Sequence, residues 1–333
     1  MNTRDDDNDG LQLESVSESM YRMQDSQELA PARQRRPTLE AAPPRAPRIF
    51  CVVLLAAVIG MITWETGATL IQHNDSATTE DWKKAAEKVR AERKPTEPVL
   101  FAPHWADPLG RAAMGPSLKL DMLTLSDVDR YPRVWQLSIR GKRHPWLKGL
   151  APARTFTEGQ VRVDVFDKKP AEVLFDFTRS MLKAAKVERQ GRDLKRCPRR
   201  GKRFRCDPRQ GWNWAGPHMA EVGHRPYRCI FVHPVDRHVM RVKFPAVKVG
   251  RSIVGYTGID DFENRKRAKL PVLLTVTVNR KAVGSVEHKN DWGWRRFTVD
   301  TSKHAGQTHE VSFEIAARGA FARTFCFSAE ARK

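Results

Sequence analysis

Hydrophobic and polar positions divide this chain into three regimes. Residues 1–48 carry almost no apolar pattern: Asp5, Asp6 and Asp7 run together, and Pro31, Pro37, Pro43, Pro44 and Pro47 lie among Ser and Gln. Too little apolar surface exists there to offset the entropy of ordering, which predicts a disordered tail. Ile49 to Trp64 then runs sixteen positions with no charge and no proline. Beyond it, short apolar segments alternate with charged ones as far as Lys333, a stretch long enough for two domains with real cores.

The uncharged run predicts a transmembrane helix. Sixteen residues span ~24 Å, against a hydrocarbon core of ~30 Å, so the helix is expected to extend past Glu65 to Ile71. Nine of the sixteen are Ile, Leu, Val or Phe, worth together about −3 to −5 kcal/mol on an insertion scale. A buried core helix and a cleaved signal peptide are the rival expectations; against the second, 48 residues precede the run and no small-x-small site follows. Arg33, Arg35, Arg36, Arg45 and Arg48 stand before it, and the next basic residue after it is Lys83. The positive-inside rule therefore predicts a single-pass inner-membrane protein, with the N-terminus cytoplasmic and the bulk of the chain extracytoplasmic or periplasmic.

After a short polar spacer, Thr79-Glu80-Asp81 opens an amphipathic helix with Trp82, Ala85, Ala86 and Val89 on one face. Pro95 and Pro98 end it. Strands are expected at Val99–Ala102, Leu118–Leu123 and Val134–Ile139, with a helix from Trp105 to Ala113 between the first two. Val161–Val165 and Val173–Phe177 are also strand-like. From Arg228 onward eight short alternating segments recur with turn signals between them: 229–233, 238–244, 252–258, 272–278, 282–288, 296–299, 310–316 and 324–328. That spacing predicts a β-sandwich with jelly-roll-like topology. The fold class is thus α+β: tail 1–48, signal-anchor 49–71, small α/β module 72–170, and sandwich with a basic hairpin 171–333.

Two resemblances follow. Asp81-Trp82-Lys83-Lys84-Ala85-Ala86, Val99-Leu100-Phe101-Ala102-Pro103 and Arg133-Val134-Trp135-Gln136-Leu137 resemble the extracytoplasmic α/β segment of family-39-type membrane glycosyltransferases, which use polyprenyl-phosphate sugars. The multi-span part and acidic catalytic loop of that family are missing, so the resemblance implies a related accessory fold, with such a glycosyltransferase as a partner, and not a transferase. The second is carried by Phe231-Val232-His233-Pro234, Phe244, Val247, Gly250, Gly255, Gly258-Ile259-Asp260-Asp261, Pro271-Val272 through Val278, Gly284, Trp294 and Thr298-Val299-Asp300. These resemble galactose-binding-like jelly rolls, including carbohydrate-binding modules. Many such modules hold a structural calcium, which implies Asp260 and Asp261 as ligands of a Ca2+ ion; an ordinary turn with solvated carboxylates is the other reading.

Charge sharpens the picture. The formal net charge is +20, yet residues 1–48 hold seven Arg against nine Asp and Glu, so the rest of the chain is more basic still. Such a domain favours polyanions: acidic glycans, anionic polymers or lipid head groups. Nucleic acid is disfavoured, because the basic part is expected across the membrane from it. Arg189 to Arg205 holds nine Lys and Arg against Asp193, with Cys197 and Cys206 bracketing its second half. Cys51 lies in the anchor; the other four cysteines allow three pairings. Cys197–Cys206 as a local clip and Cys229–Cys326 as a tie between the first and last strands are preferred, with stabilisations of about 2.7 and 4.7 kcal/mol.

Catalytic motifs are missing. No Gly-x-Ser-x-Gly element, glycine-rich phosphate loop or CxxC is present, and His224, His233, His238 and Asp236 are a weak metal set. The candidate ligand contacts are Trp212 and Trp214 after the basic run, Trp292 and Trp294 around Gly293, and the cations Arg199, Arg200, Lys202 and Arg203. Indole faces beside polar residues suit stacking on sugar rings, and also ordinary packing. The expectation is a membrane-anchored binding or accessory protein of the cell envelope that recognises a glycan or anionic polymer. The alternatives are a glycan-active enzyme, with carboxylates converging in a pocket between the two modules, or a scaffold for a membrane glycosyltransferase.

Overall fold

The computed structural model describes residues 46–74, 77–207, 209–260, 270–289, 293–321 and 323–333, and the chain divides into two units at Glu65/Thr66. Residues 1–45 of the expected tail lie outside the described residues. Helix α1 (Ala46–Asn74) contains a stretch, Ile49–Leu70, long and apolar enough to cross a membrane by length and composition. Its 22 residues correspond to ~33 Å, against ~30 Å of hydrocarbon.

The second unit begins with α2 (Thr79–Glu92). Thr78 and Asp81 form a reciprocal capping box, and Trp82, Ala85, Ala86 and Val89 make the buried face. Strand β1 (Val99–Ala102), helices α3 (Asp107–Met114) and α4 (Leu120–Leu123), and strands β2 (Arg133–Ser138), β3 (Arg154–Glu158) and β4 (Val161–Asp167) follow. They form a sheet of order β1-β2-β4-β3, in which β1 and β2 are parallel and the other pairs antiparallel. The residues carrying the transferase resemblance are those of α2, β1 and β2. One face of the sheet packs Phe101, Trp135, Leu137 and Val163 against α2; the other packs Leu100, Val134 and Phe166 against Val128 and Leu147. The strand expected at Leu118–Leu123 is instead a turn and the short helix α4. Gly115 at φ +55° and Pro116 precede it, and the Thr124 hydroxyl donates to the Leu120 carbonyl at 3.0 Å, closing the turn.

The sandwich is built from β5 (Val173–Asp176), α5 (Phe177–Ala184), β6 (Lys186–Gln190), β7 (Leu194–Arg196), β8 (Arg199–Arg200), β9 (Arg203–Arg205) and β10 (Trp214–Val222), then eight strands: β11 (Arg225–Val232), β12 (Val239–Lys248), β13 (Ser252–Ile259), β14 (Val272–Val278), β15 (Lys281–His288), β16 (Arg295–Asp300), β17 (Thr308–Ala317) and β18 (Phe325–Arg332). These eight are the segments expected from the alternating pattern. They are divided between two sheets with central orders β16-β13-β18-β11 and β15-β14-β17-β12, the four-on-four order of a jelly roll. Strands β10, β9 and β8 extend the first sheet, β6 and β7 the second, and β5 pairs with β18. Phe177, Phe244, Phe313, Phe325 and Phe327 fill the space between the sheets, with edge-on contacts at 4.9–5.0 Å from Phe177 to Phe244 and Phe313. Asn279 and Arg280, both at positive φ, form the two-residue turn of the β14–β15 hairpin.

Both expected disulfides are formed. Cys197–Cys206 closes the basic hairpin, and Cys229–Cys326 links adjacent β11 and β18.

Candidate functional site

Strands β1 and β2 run in parallel, so the segments that follow them leave the same edge of the sheet. After β1 comes a cis Ala102–Pro103 bond and the turn His104–Ala106; after β2 come Arg143, His144 and the turn Pro145–Leu147 with Trp146. The sandwich meets them with the β10–β11 turn, where Gly223 and His224 both have φ near +60°, and with Gly293 and Trp294 just before β16. Together these segments line a cleft of about 370 Å³ between the two layers. That lies within the range of small-ligand sites, roughly 300–1,000 Å³.

The aromatic wall is set by backbone geometry. Gly258 on β13 has no side chain, and a Cβ there would stand 2.6 Å from the Trp294 indole. The indole therefore lies flat on the sheet, parallel to Tyr227 (4.8 Å, 14°) and Tyr256 (6.2 Å, 6°). Its Nε1–H is buried and meets no acceptor among the described residues. Trp146 sits edge-on to His144 at 4.8 Å, with the Arg225 guanidinium 5.7 Å from its ring centre.

The polar groups are cationic or neutral. Arg143 and Arg225 line the cleft, and no carboxylate does so among the described residues. Asp107, buried behind the wall, is shared by Arg111 and Arg225, the latter at 3.6 Å. His144 is buried; its backbone N–H donates to Gln136 Oε1 at 2.7 Å, and its Nδ1 accepts from the Trp146 N–H at 3.2 Å. Burial first, then the positive charge of Arg225, pushes its pKa down to about 3. His104 is lowered by the same two causes, opposed by Asp107.

A second convergence of charge lies elsewhere between the layers. Asp127, Asp129, Asp176 and Glu330 gather against Arg130, Arg296, Arg332 and Lys168, with pairs between 2.7 and 3.4 Å. This is the carboxylate cluster that a glycan-active enzyme would need, and each of its acids is held by an arginine. The cavity there is about 70 Å³, far below the size of a small-ligand site. Arg332 is lowered by burial but raised more by Asp127, Glu330 and Asp129, so it stays firmly protonated. It donates to Asp127 at 2.7 Å, and Tyr256 donates to the same carboxylate at 3.0 Å.

The sequence-derived candidates are distributed over three places. Trp294 is in the cleft. Trp214 is buried, stacked on Phe231 at 4.0 Å, with the Arg203 guanidinium 4.3 Å above it. Trp212 is exposed and packs edge-on to His233. Arg199, Arg200, Lys202 and Arg203 stand exposed on the β8–β9 hairpin, and Arg199 donates to the Leu182 carbonyl at 2.7 Å. Trp292 and Asp261 lie outside the described residues. Asp260 is half-buried, and its backbone N–H meets the Thr324 carbonyl at 3.4 Å. Among the described residues no three His, Cys, Asp or Glu stand grouped as metal ligands. The weak His set is dispersed: His233 and His238 each turn Nδ1 to a nearby backbone carbonyl, and Asp236 accepts from the Ala320 N–H. Trp146, Arg143, His144 and Arg225 were missed as a set. The available signal was His-Trp and His-Pro-Trp in the loops that follow two strands, the end where parallel sheets place their ligands.

No protein-family model and no curated protein matches this chain. Solved structures that do match include carbohydrate-binding modules. Structures of the CBM51-2 and INT domains of Clostridium perfringens ZmpB align at 15% and 12% identity, cover 34% and 58% of this chain, and have TM-scores of 0.27 and 0.29. The chain spans only 25% and 45% of their length. The CBM51 of a Clostridium perfringens GH95, in complex with methyl-galactose, aligns at 10% identity over 47% of this chain and 97% of its own, with TM-score 0.28. CBM27-1 of Caldicellulosiruptor saccharolyticus, in complex with mannohexaose, aligns at 9% identity over 49% and 96%, with TM-score 0.30. The jelly-roll assignment rests on strand order and not on these partial overlaps.

Proposed function

We propose that this protein is a single-pass membrane protein of the cell envelope whose extracytoplasmic part binds carbohydrate in the cleft between its α/β layer and its jelly roll. The observation that carries the reading is the cleft itself: two indoles and a tyrosine beside guanidinium and imidazole groups, in a volume that suits a ligand. Flat aromatic surface pairs with the apolar faces of sugar rings, and the polar groups at its margin can read hydroxyls. Binding is favoured over hydrolysis because paired-carboxylate chemistry needs two acids at one cleft, and none lines it among the described residues. The anchor reading rests on Ile49–Leu70 and on the arginines that precede it.

Full-chain protein in detergent micelles, screened on an oligosaccharide array, tests the ligand class. At least one glycan is expected to be retained, with affinity lost about tenfold or more in Trp146→Ala. Retention of none, or retention indifferent to Trp146, overturns the reading. Reporter fusions at each terminus test the orientation; a cytoplasmic C-terminus overturns it.

A further inference from the structure

The cleft holds more donors than acceptors. His144 faces two of them: the Trp146 N–H at its Nδ1 and Arg225 Nη1, 3.2 Å from its Nε2. A neutral imidazole has one free lone pair on nitrogen, so it satisfies one donor and presents an N–H to the other. Arg225 has Asp107 at 3.6 Å, beyond hydrogen-bond distance, and that carboxylate is shared with Arg111. Arg143 spends Nη1 on the Leu150 carbonyl at 2.6 Å and rests 5.3 Å over Phe166, which leaves the rest of its fork toward the cleft it lines. Two guanidiniums therefore line the site, and Asp107, the carboxylate nearest Arg225, lies behind the wall and is shared with Arg111.

An unbalanced donor on a largely buried side chain such as Arg225 is costly unless an acceptor completes it, and Arg143 adds a second, exposed cation beside it. We infer that the sugar bound in this cleft is acidic, and that its anionic group sits between Arg225 and Arg143 beside His104. The inference rests on the carbohydrate reading and adds the ligand's charge to it. Guanidinium forks match carboxylate and phosphate oxygens in a bidentate manner, whereas a neutral hydroxyl satisfies a single donor. Burial first, and then the positive charge of Arg225, depresses both histidine pKa values. Trp294 and Tyr227 then supply the surface for the ring that carries the acid.

The test uses full-chain protein in detergent micelles and matched oligosaccharide pairs. One arm compares uronic-acid oligosaccharides with their methyl esters; the other compares phosphorylated oligosaccharides with the same chains after phosphatase treatment. The acidic member of a pair is expected to bind at least about tenfold more tightly. Arg143→Gln should remove most of that ratio, weakening the acidic member far more than the neutral one; Arg225→Gln should remove the rest. The arm that shows the ratio identifies carboxylate or phosphate as the group. Equal binding of both members, or a ratio untouched by Arg143→Gln, overturns the acidic assignment and leaves the carbohydrate reading standing. Binding of no oligosaccharide in either arm overturns both.

Discussion

Among the described residues, the α/β layer and the jelly roll meet at two charged places that differ in kind. At the seam around Asp127 and Arg332, acids and arginines alternate, pairs are close, and only about 70 Å³ is left open. At the cleft around Trp146 and Arg225 the space is about 370 Å³, the charge is one-sided, and aromatic faces replace counter-ions. Both contain buried ionisable groups and both lie at a layer boundary. What separates a fastening from a site is whether the protein supplies its own partners. Asp127 receives Arg332 and Tyr256, whereas Arg225 and Trp294 carry donors that acceptors among the described residues leave incomplete.

Breaking the seam should have the largest effect. Arg332→Met leaves Asp127, Asp129 and Glu330 with less positive charge in a buried setting, and should cost about 3–5 kcal/mol in thermal or denaturant unfolding. Arg143→Gln in the cleft should stay within about 0.5 kcal/mol, since its side chain is exposed. A loss of 1 kcal/mol or less in Arg332→Met would mean the seam does not fasten the layers.

The contrast explains what the sequence could and could not disclose. The eight core strands were legible as short apolar segments between turn signals, some of them alternating in period two, as Met240, Val242 and Phe244 do against Arg241 and Lys243. The helix at Thr79 was legible from its opening Thr79-Glu80-Asp81 and its 3.6-residue face. The α4 segment was not: three leucines in a short run fit either period, and Gly115-Pro116 plus the Thr124 hydroxyl decided it. The cleft was hidden for a different reason. His104, Trp146, Arg225 and Trp294 come from four separate stretches, and only the parallel pairing of β1 with β2 brings the first two together. Strand β10 was also hidden, and with it the Gly223-His224 turn that forms one rim.

The next effect is on pH dependence. His144 stays neutral in the folded protein down to about pH 3, whereas in the unfolded chain it takes up a proton near pH 6.5. Stability from this group is therefore complete above about pH 6.5 and falls as the pH drops toward 3, by up to about 1.4 kcal/mol per unit. His144→Asn keeps an acceptor for the Trp146 N–H but cannot titrate. The stability gap between the two proteins should narrow as the pH falls from 7 to 4, and a constant gap would show that His144 is not buried neutral. Smaller again is Gly258→Ala. Its Cβ would meet the Trp294 ring at 2.6 Å and Val222 at 3.1 Å, so the indole must lift from the sheet. Overpacking of that kind costs about 1–3 kcal/mol, and glycan affinity should fall with it. Unchanged affinity would place the ligand away from Trp294.

The smallest effect on stability, and the one that sets the hairpin against both regions, concerns Arg200 and Arg203. They are directly opposite in the β8–β9 pair, two cations facing each other with no acid bridging them among the described residues. Like charges in that relation are destabilising by a few tenths of a kcal/mol, up to about 1. The Cys197–Cys206 bond holds the hairpin closed all the same. Arg200→Glu should therefore stabilise the protein slightly, because it turns a repulsive pair into an attractive one. The same change should elute the protein from an immobilised polyanion at lower salt, since one attractive contact becomes repulsive. A fold that keeps a locally unfavourable pair on an exposed, covalently closed turn gains nothing in stability from it. If Arg200→Glu stabilises without changing the salt of elution, the hairpin is a solvated loop, and anion recognition belongs to the cleft alone.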